Sequence, residues 1–206
     1  MTVSEDRQFQ AVQDFHRLMD GEVPESPKAF IYQELLHRVD FKLEELLEMV
    51  HGTAESQEAF EDGVVALHLA LDKAAQKIRS KQDNQETAPS LVNQVDALVD
   101  LLYLTYGSFV LMGVDPEPFF EIVHQANMGK IWSDGKAHHD PVTHKVLKPP
   151  HWEKEFAPEP KIRAELERQL ILKANQSGLG KEADARTGGH RSESTRASFE
   201  YTARQK

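Results

Sequence analysis

The sequence contains no cysteine among its 206 residues, which excludes disulfide bonds, thiolate zinc sites and cysteine nucleophiles. The first residues, MTVSEDRQFQ, lack the apolar core of a secretory signal. No apolar run approaches the roughly 20 residues needed to span a bilayer. These absences predict a cytoplasmic protein with no membrane partner.

Basic residues are outnumbered by acidic ones, and the net charge is −10. Residues 175–206 hold six Lys or Arg and four Asp or Glu, a balance of +2, so the rest of the chain carries −12. An acidic body argues against unaided binding to a nucleic-acid backbone. If such a protein handles phosphates, it needs metal ions between itself and its substrate.

Several common catalytic motifs are also missing. The segment GKIWSDGKA has the wrong spacing for a Walker A loop and lacks its Ser or Thr. No Gly-x-Ser-x-Gly and no Asp-x-Asp occurs. These absences argue against a P-loop enzyme, an α/β-hydrolase and a haloacid-dehalogenase-type phosphatase.

Helical periodicity dominates what is present, and no strand pattern of any length occurs. The apolar stripes predict a short helix at about 9–18, and then helices at about 27–51, 56–82 and 90–112, with a fifth opening at Asp115-Pro116. Residues 129–158 resemble a loop. The sequence therefore predicts an all-α fold: a four-to-five-helix bundle over residues 1–158, a peripheral helix over 159–174 and a disordered tail over 175–206.

Two pairs of acidic residues are the candidate site. Glu44 and Glu48 are four residues apart on the second helix, so they share a face, and that face adjoins the apolar stripe. Taken alone, this pattern is more often a solvated glutamate surface, since Glu is a good helix former.

The fourth helix strengthens the metal-site interpretation. Asp96 and Asp100 are also four apart and interrupt a strongly apolar run, and no Lys or Arg occurs between Leu91 and Gly129. Buried carboxylates without a partner are costly, so we expect either a distant cation or a bound metal beside them. Hard oxygen ligands in this number suit Mg²⁺ or Mn²⁺.

Three segments in order, EELLE, DALVDLLYLTYG and HQANMGK, resemble the MazG-like superfamily of all-α nucleoside triphosphate (NTP) pyrophosphohydrolases. This superfamily includes phosphoribosyl-ATP pyrophosphohydrolase and dimeric dUTPase-like enzymes. The resemblance covers roughly Phe9 to Trp152. One position departs from the family pattern: Ala97 stands where an acidic ExxD motif has its Glu, and Asp96 is the candidate replacement.

The resemblance implies a reaction and a metal site. Water would attack between the α- and β-phosphates of a (deoxy)nucleoside triphosphate such as dUTP, releasing a monophosphate and pyrophosphate. Glu45 would orient or deprotonate that water. The implied ligands of Mg²⁺, with Mn²⁺ as a substitute, are Glu44, Glu48, Asp96 and Asp100.

Five further residues are candidates for substrate binding: Asn127, Lys130, Lys136, Lys148 and Tyr103. The lysines are the first cations after the long stretch without any, so they are candidate phosphate contacts. The alternative for each lysine is a solvated loop residue, and an aromatic residue at helical spacing is more often part of a core.

The resemblance also implies a homodimer or homotetramer, with nucleoside triphosphate as the small-molecule partner. Two alternative functions stay open. Ala97 favours a non-catalytic helical nucleotide-binding or interaction protein. A phosphoribosyl-ATP pyrophosphohydrolase has the same fold but ranks lower, since the loop and tail resemble the dUTPase-like branch more closely.

Overall fold

The computed structural model describes residues 6–21, 23–81, 89–141 and 146–186. The chain divides into two units, Met1–Met112 and Gly113–Lys206. The first unit contains helices α1 (Arg7–Asp20), α2 (Tyr32–Thr53), α3 (Gln57–Lys81) and α4 (Ser90–Met112). The second contains α5 (Glu117–Met128), α6 (Trp152–Phe156) and α7 (Glu159–Arg186). Within the described ranges, β-structure is limited to isolated bridges, and the predicted all-α class is confirmed.

Helix starts follow from local capping. The Asp6 carboxylate accepts hydrogen bonds from the backbone N–H groups of Gln8 and Phe9, both at 3.0 Å. The Ser56 hydroxyl accepts one from Ala59 N–H at 3.1 Å. Each cap satisfies N–H groups that the first turn of a helix leaves without a partner.

The predicted start of the second helix near Pro27 is wrong, because α2 begins at Tyr32. The side-chain amide of Gln94, in α4, pairs with both backbone groups of Phe30. It accepts from Phe30 N–H at 2.9 Å and donates to Phe30 C=O at 3.1 Å. These bonds hold the backbone before α2 in a non-helical form, and no local sequence signal reports them.

The last helix is longer than expected. α7 continues to Arg186, past the predicted end at 174. The predicted disordered tail began at 175, and residues 187–206 lie outside the described residues.

In the first unit, none of the described residues is buried. α4 is the extreme case: it is apolar around most of its circumference, and Leu111 is 90% exposed in the single chain. A helix that is apolar all round normally belongs inside a protein core or a membrane. The described part of this unit therefore exposes apolar side chains of the kind that proteins normally bury.

By length and composition, α4 is also able to cross a bilayer, with a mean hydropathy of 1.5 over 18 residues. This corrects the expectation that no apolar stretch approaches that length. The two aspartates interrupt the apolar run, but the mean hydropathy of the helix stays high enough for a membrane span. Each charged residue at a bilayer centre costs about 2.5–3.5 kcal/mol, so Asp96 and Asp100 favour a protein cover over lipid.

The second unit has a small core. Phe119 and Ala126 of α5 and Trp152 of α6 are buried. The indole N–H of Trp152 donates to the Ala126 carbonyl at 2.8 Å. This bond joins the short α6 to α5 and gives the buried indole its polar partner.

α7 is fastened to the start of α5 by a buried glutamine that is only 8% exposed. Gln169 accepts from Asp115 N–H at 3.0 Å and donates to Asp115 C=O at 3.1 Å. Its amide also donates to Glu165 at 2.9 Å. The hydrogen bonds from Arg168 and then from Gln169 lower the pKa of Glu165 to about 2, so Glu165 remains an acceptor at neutral pH.

We expect Gln169→Ala to lower the free energy of unfolding by about 1–3 kcal/mol, because both backbone groups of Asp115 lose their partner in a partly buried place. Urea unfolding followed by tryptophan fluorescence measures this, since both tryptophans lie in the second unit. The control is Gln125→Ala, whose exposed bond to Glu121 is worth about 0.2–0.5 kcal/mol. Equal losses for the two variants would contradict a specific role for Gln169.

Candidate active site

Glu44 and Glu48 line an open cleft between α2 and α3 with a volume of about 560 Å³. The four-residue spacing along α2 brings both carboxylates to this side of the helix. The two helices contact each other across a short link at Ala54–Ser56. The structure therefore places the first predicted acidic pair together in one cleft.

Three further residues complete the lining of this cleft: Leu47, His51 and Phe60. The rings of His51 and Phe60 meet edge to face, with centroids 5.1 Å apart. Neither His51 nor Phe60 is among the site residues predicted from the sequence. Phe60 belongs to the apolar stripe of its helix and His51 marked a helix end, so only the pairing of α2 with α3 reveals them.

The second acidic pair lies on α4, and the expected burial of Asp96 and Asp100 is wrong for the single chain, where both are exposed. Many apolar side chains of α4 are exposed as well. Among the described residues, no Lys, Arg or His forms an ion pair with Asp96, Asp100 or Glu48. A distant structural salt bridge thus has no support in the described part of the chain.

The donor set has the chemistry that a hard cation requires, since all four predicted ligands are carboxylates. Glu45, the predicted catalytic residue, is adjacent to this set on α2 and is exposed. Within the described ranges of the single chain, however, no three acidic or histidine side chains come together as a metal-binding group. The residues fit Mg²⁺ by type, and Glu44 and Glu48 line the same cleft.

The predicted substrate-binding residues do not line the cleft. Tyr103 is on α4 and 78% exposed, and the other four belong to the second unit. There, the Lys130 ammonium donates to the Asn127 side-chain carbonyl at 2.8 Å. The Lys148 ammonium donates to Glu153 at 3.0 Å and lies 3.8 Å from the centre of the Trp152 ring.

Lys136 lies in a turn stabilised by its neighbours. Its backbone N–H donates to the Asp134 carboxylate at 3.0 Å. The His138 ring stacks on Trp132, with centroids 4.5 Å apart, and bonds to Asp134 at 2.9 Å. The hydrogen bond from His138, followed by that from Lys136, lowers the pKa of Asp134. These contacts of Asp134 and His138 thus stabilise the turn that carries Lys136.

Comparison with known proteins agrees with the helical fold. The family model of phosphoribosyl-ATP pyrophosphohydrolase matches residues 12–127. A crystal structure from Exiguobacterium sp. 255-15, provisionally named as an NTP pyrophosphohydrolase, is similar with a TM-score of 0.72 and 34% identity. The similarity covers 82% of this chain and 99% of that one. None of the curated proteins compared with the chain matches it significantly.

The helical fold and both matches define a pyrophosphohydrolase of the MazG-like, all-α class, which is a class of hydrolases. The chain belongs to the phosphoribosyl-ATP pyrophosphohydrolase family, whose model spans both acidic motifs. The family has the name of phosphoribosyl-ATP pyrophosphohydrolase, whereas the loop and tail of the sequence favoured the dUTPase-like branch.

The cleft depends on a close approach of α2 and α3 at Gly63. A Cβ atom at this position would lie 2.6 Å from Val50 Cγ1, and the β-branched Val50 has little rotamer freedom to withdraw. We expect Gly63→Ala to lower the melting temperature despite the better helix propensity of Ala. Circular dichroism at 222 nm measures the melting.

Gly52→Ala is the matched control, because nothing lies within 4 Å of a Cβ atom placed there. We expect this variant to melt at or above the temperature of the original protein, with a gain of at most about 1 kcal/mol. If Gly63→Ala melts like Gly52→Ala, the two helices do not approach as described.

Proposed function

We propose that the protein is a Mg²⁺-dependent nucleoside triphosphate pyrophosphohydrolase, with Mn²⁺ as a substitute metal, that acts on a (deoxy)nucleotide such as dUTP. The main support is the paired Glu44 and Glu48 in one cleft, in a chain that belongs to a family of pyrophosphohydrolases. The second acidic pair, Asp96 and Asp100, offers two further carboxylates on α4, the oxygen ligands that Mg²⁺ prefers.

In this proposal, Glu44, Glu48, Asp96 and Asp100 hold the metal. A bound Mg²⁺ would neutralise charge on the phosphates and make water a better nucleophile. Glu45 accepts the proton of the attacking water. The water oxygen bonds to phosphorus at the α–β linkage, the bridging P–O bond breaks, and the products are a monophosphate and pyrophosphate.

The lysines of the second unit are the proposed phosphate contacts. Lys130 and Lys148 already have partners, Asn127 and Glu153. Each lysine therefore exchanges a local bond for a phosphate oxygen when it binds. Lys136 is held in place through its backbone N–H, and its side chain is exposed.

We also propose that the protein works as a homodimer or homotetramer. The described residues of the first unit include no buried side chain, although α2 and α4 carry many large apolar ones. Contiguous apolar patches this extensive normally mark a protein interface. A second copy of the chain would supply the same kind of surface in return.

One other substrate has specific support. The matching family model is that of phosphoribosyl-ATP pyrophosphohydrolase, so phosphoribosyl-ATP is the second candidate. Both substrates contain the same triphosphate linkage, and the two reactions differ only in what is attached to the α-phosphate.

The deciding experiment measures pyrophosphate release from ribo- and deoxynucleoside triphosphates and phosphoribosyl-ATP, each with Mg²⁺, Mn²⁺ or EDTA. We expect metal-dependent release with a monophosphate product. Glu48→Gln should lower kcat at least about 100-fold, since a ligand carboxylate is lost, and calorimetry should detect weaker Mg²⁺ binding. Glu58→Gln, an exposed change on α3, is the control and should keep full activity.

If Glu48→Gln keeps both its turnover and its Mg²⁺ affinity, the assigned site is wrong. If the original protein turns over none of these substrates, the non-catalytic alternative gains support. Ala97 is then the residue to change, with Ala97→Glu restoring the family pattern.

Light scattering coupled to size-exclusion chromatography tests the assembly. We expect a mass of two or four times the 23.4 kDa chain. Leu111→Glu places a charge on the most exposed apolar side chain of α4 and should shift the mass toward one chain. Glu58→Gln, with its charge change on an already polar surface, should leave the mass unchanged. A monomeric original protein would refute this part of the proposal.

A further inference from the structure

The cleft that contains Glu44 and Glu48 has two residues that the proposed chemistry does not use. His51 and Phe60 line it together with Leu47 and the two carboxylates. A volume of about 560 Å³ is within the roughly 300–1,000 Å³ of small-molecule sites. The cleft is therefore large enough for more of a substrate than its phosphates.

The two ends of the cleft differ in character along α2. His51 follows Glu48 by three residues and Glu44 by seven, so all three project from one face of the helix. His51 lies about 4.5 Å further along the axis than Glu48, at 1.5 Å per residue. The carboxylates thus define one end, and the imidazole lies one turn beyond them.

The second end is aromatic as well as polar. Phe60, from α3, meets the His51 ring at an interplanar angle of 84°, and this edge-to-face contact orients the imidazole. Leu47 adds apolar surface. A polyphosphate offers no apolar face to such a wall, whereas a nucleobase offers a flat π-face and a hydrogen-bonding edge. A neutral imidazole has one donor and one acceptor for that edge or for a sugar hydroxyl.

We propose that His51 and Phe60 form the nucleoside end of the substrate site: Phe60 is the wall that the base contacts, and His51 is the residue that selects the base. This inference rests on the proposed function, because the carboxylate end must hold the phosphates. His51 is a specificity-determining residue in this scheme, and it takes no part in breaking the anhydride bond.

The test compares the full-length original protein with His51→Ala, His51→Gln and Phe60→Leu. Each is assayed for kcat and KM on a panel of nucleoside triphosphates and on inorganic tripolyphosphate, which has no base. His37→Ala is the matched control: His37 is on the same helix and also meets a phenylalanine ring edge to face, Phe41 at 4.6 Å, but it does not line the cleft.

We expect His51→Ala to lower kcat/KM for the preferred nucleotide at least tenfold and to bring the rates for different bases together. His51→Gln keeps a donor and an acceptor and should recover part of the preference. Phe60→Leu should raise KM for every nucleotide. Tripolyphosphate should be affected by none of these changes, and His37→Ala should match the original protein.

Two results would overturn the inference. Unchanged base preference in His51→Ala would remove the selective role, and an equal loss on tripolyphosphate would assign His51 to the phosphates instead. Failure of the proposed function itself appears differently, as no turnover by the original protein.

In that case, calorimetry with nucleoside monophosphates in EDTA decides the matter without catalysis. Binding that weakens at least tenfold in His51→Ala supports the subsite. Equal binding by the two proteins, or none by either, refutes it.

Discussion

The main physical constraint on this protein is the composition of α4. Its surface is apolar on nearly every side, yet it carries two aspartates one turn apart. Removing apolar side chains from water stabilises the folded protein, whereas a buried carboxylate destabilises it unless a cation lies beside it. Both requirements are met together if neighbouring helices enclose α4 and a metal ion accompanies Asp96 and Asp100. The proposed assembly would bury the apolar side chains of α4, and the proposed metal would compensate the charge of its two aspartates.

Much of the fold was predictable because helix periodicity and caps are local. The predicted helices at about 56–82 and 90–112 agree closely with the bounds of α3 and α4. The start of α2 was missed because Gln94, more than sixty residues away, pairs with the backbone of Phe30. A hydrogen bond between residues far apart in the chain does not change the local hydrophobic periodicity, so the sequence pattern does not predict it.

The candidate site was only partly predictable for a similar reason. Spacing alone places Glu44 and Glu48 on one face of α2, and in the structure both line one cleft. Spacing does not tell which helix packs opposite them, so Phe60 was read as part of an apolar stripe. Asp96 and Asp100 were predicted to be buried, and both are exposed in the single chain. Burial of a helix depends on the elements packed against it, and the spacing of its own residues does not reveal them.

Two glutamines anchor distant segments in the same way, each by pairing its side-chain amide with both peptide groups of one residue: Gln94 with Phe30, and Gln169 with Asp115. Every residue except proline offers these two peptide groups, so the glutamine recognises the chain rather than a side chain. The partner position is consequently able to change during evolution without a compensating change in the glutamine. These two contacts should be absent from the correlated substitutions in an alignment of relatives, even though each holds the backbone just before a helix, Phe30 before α2 and Asp115 before α5.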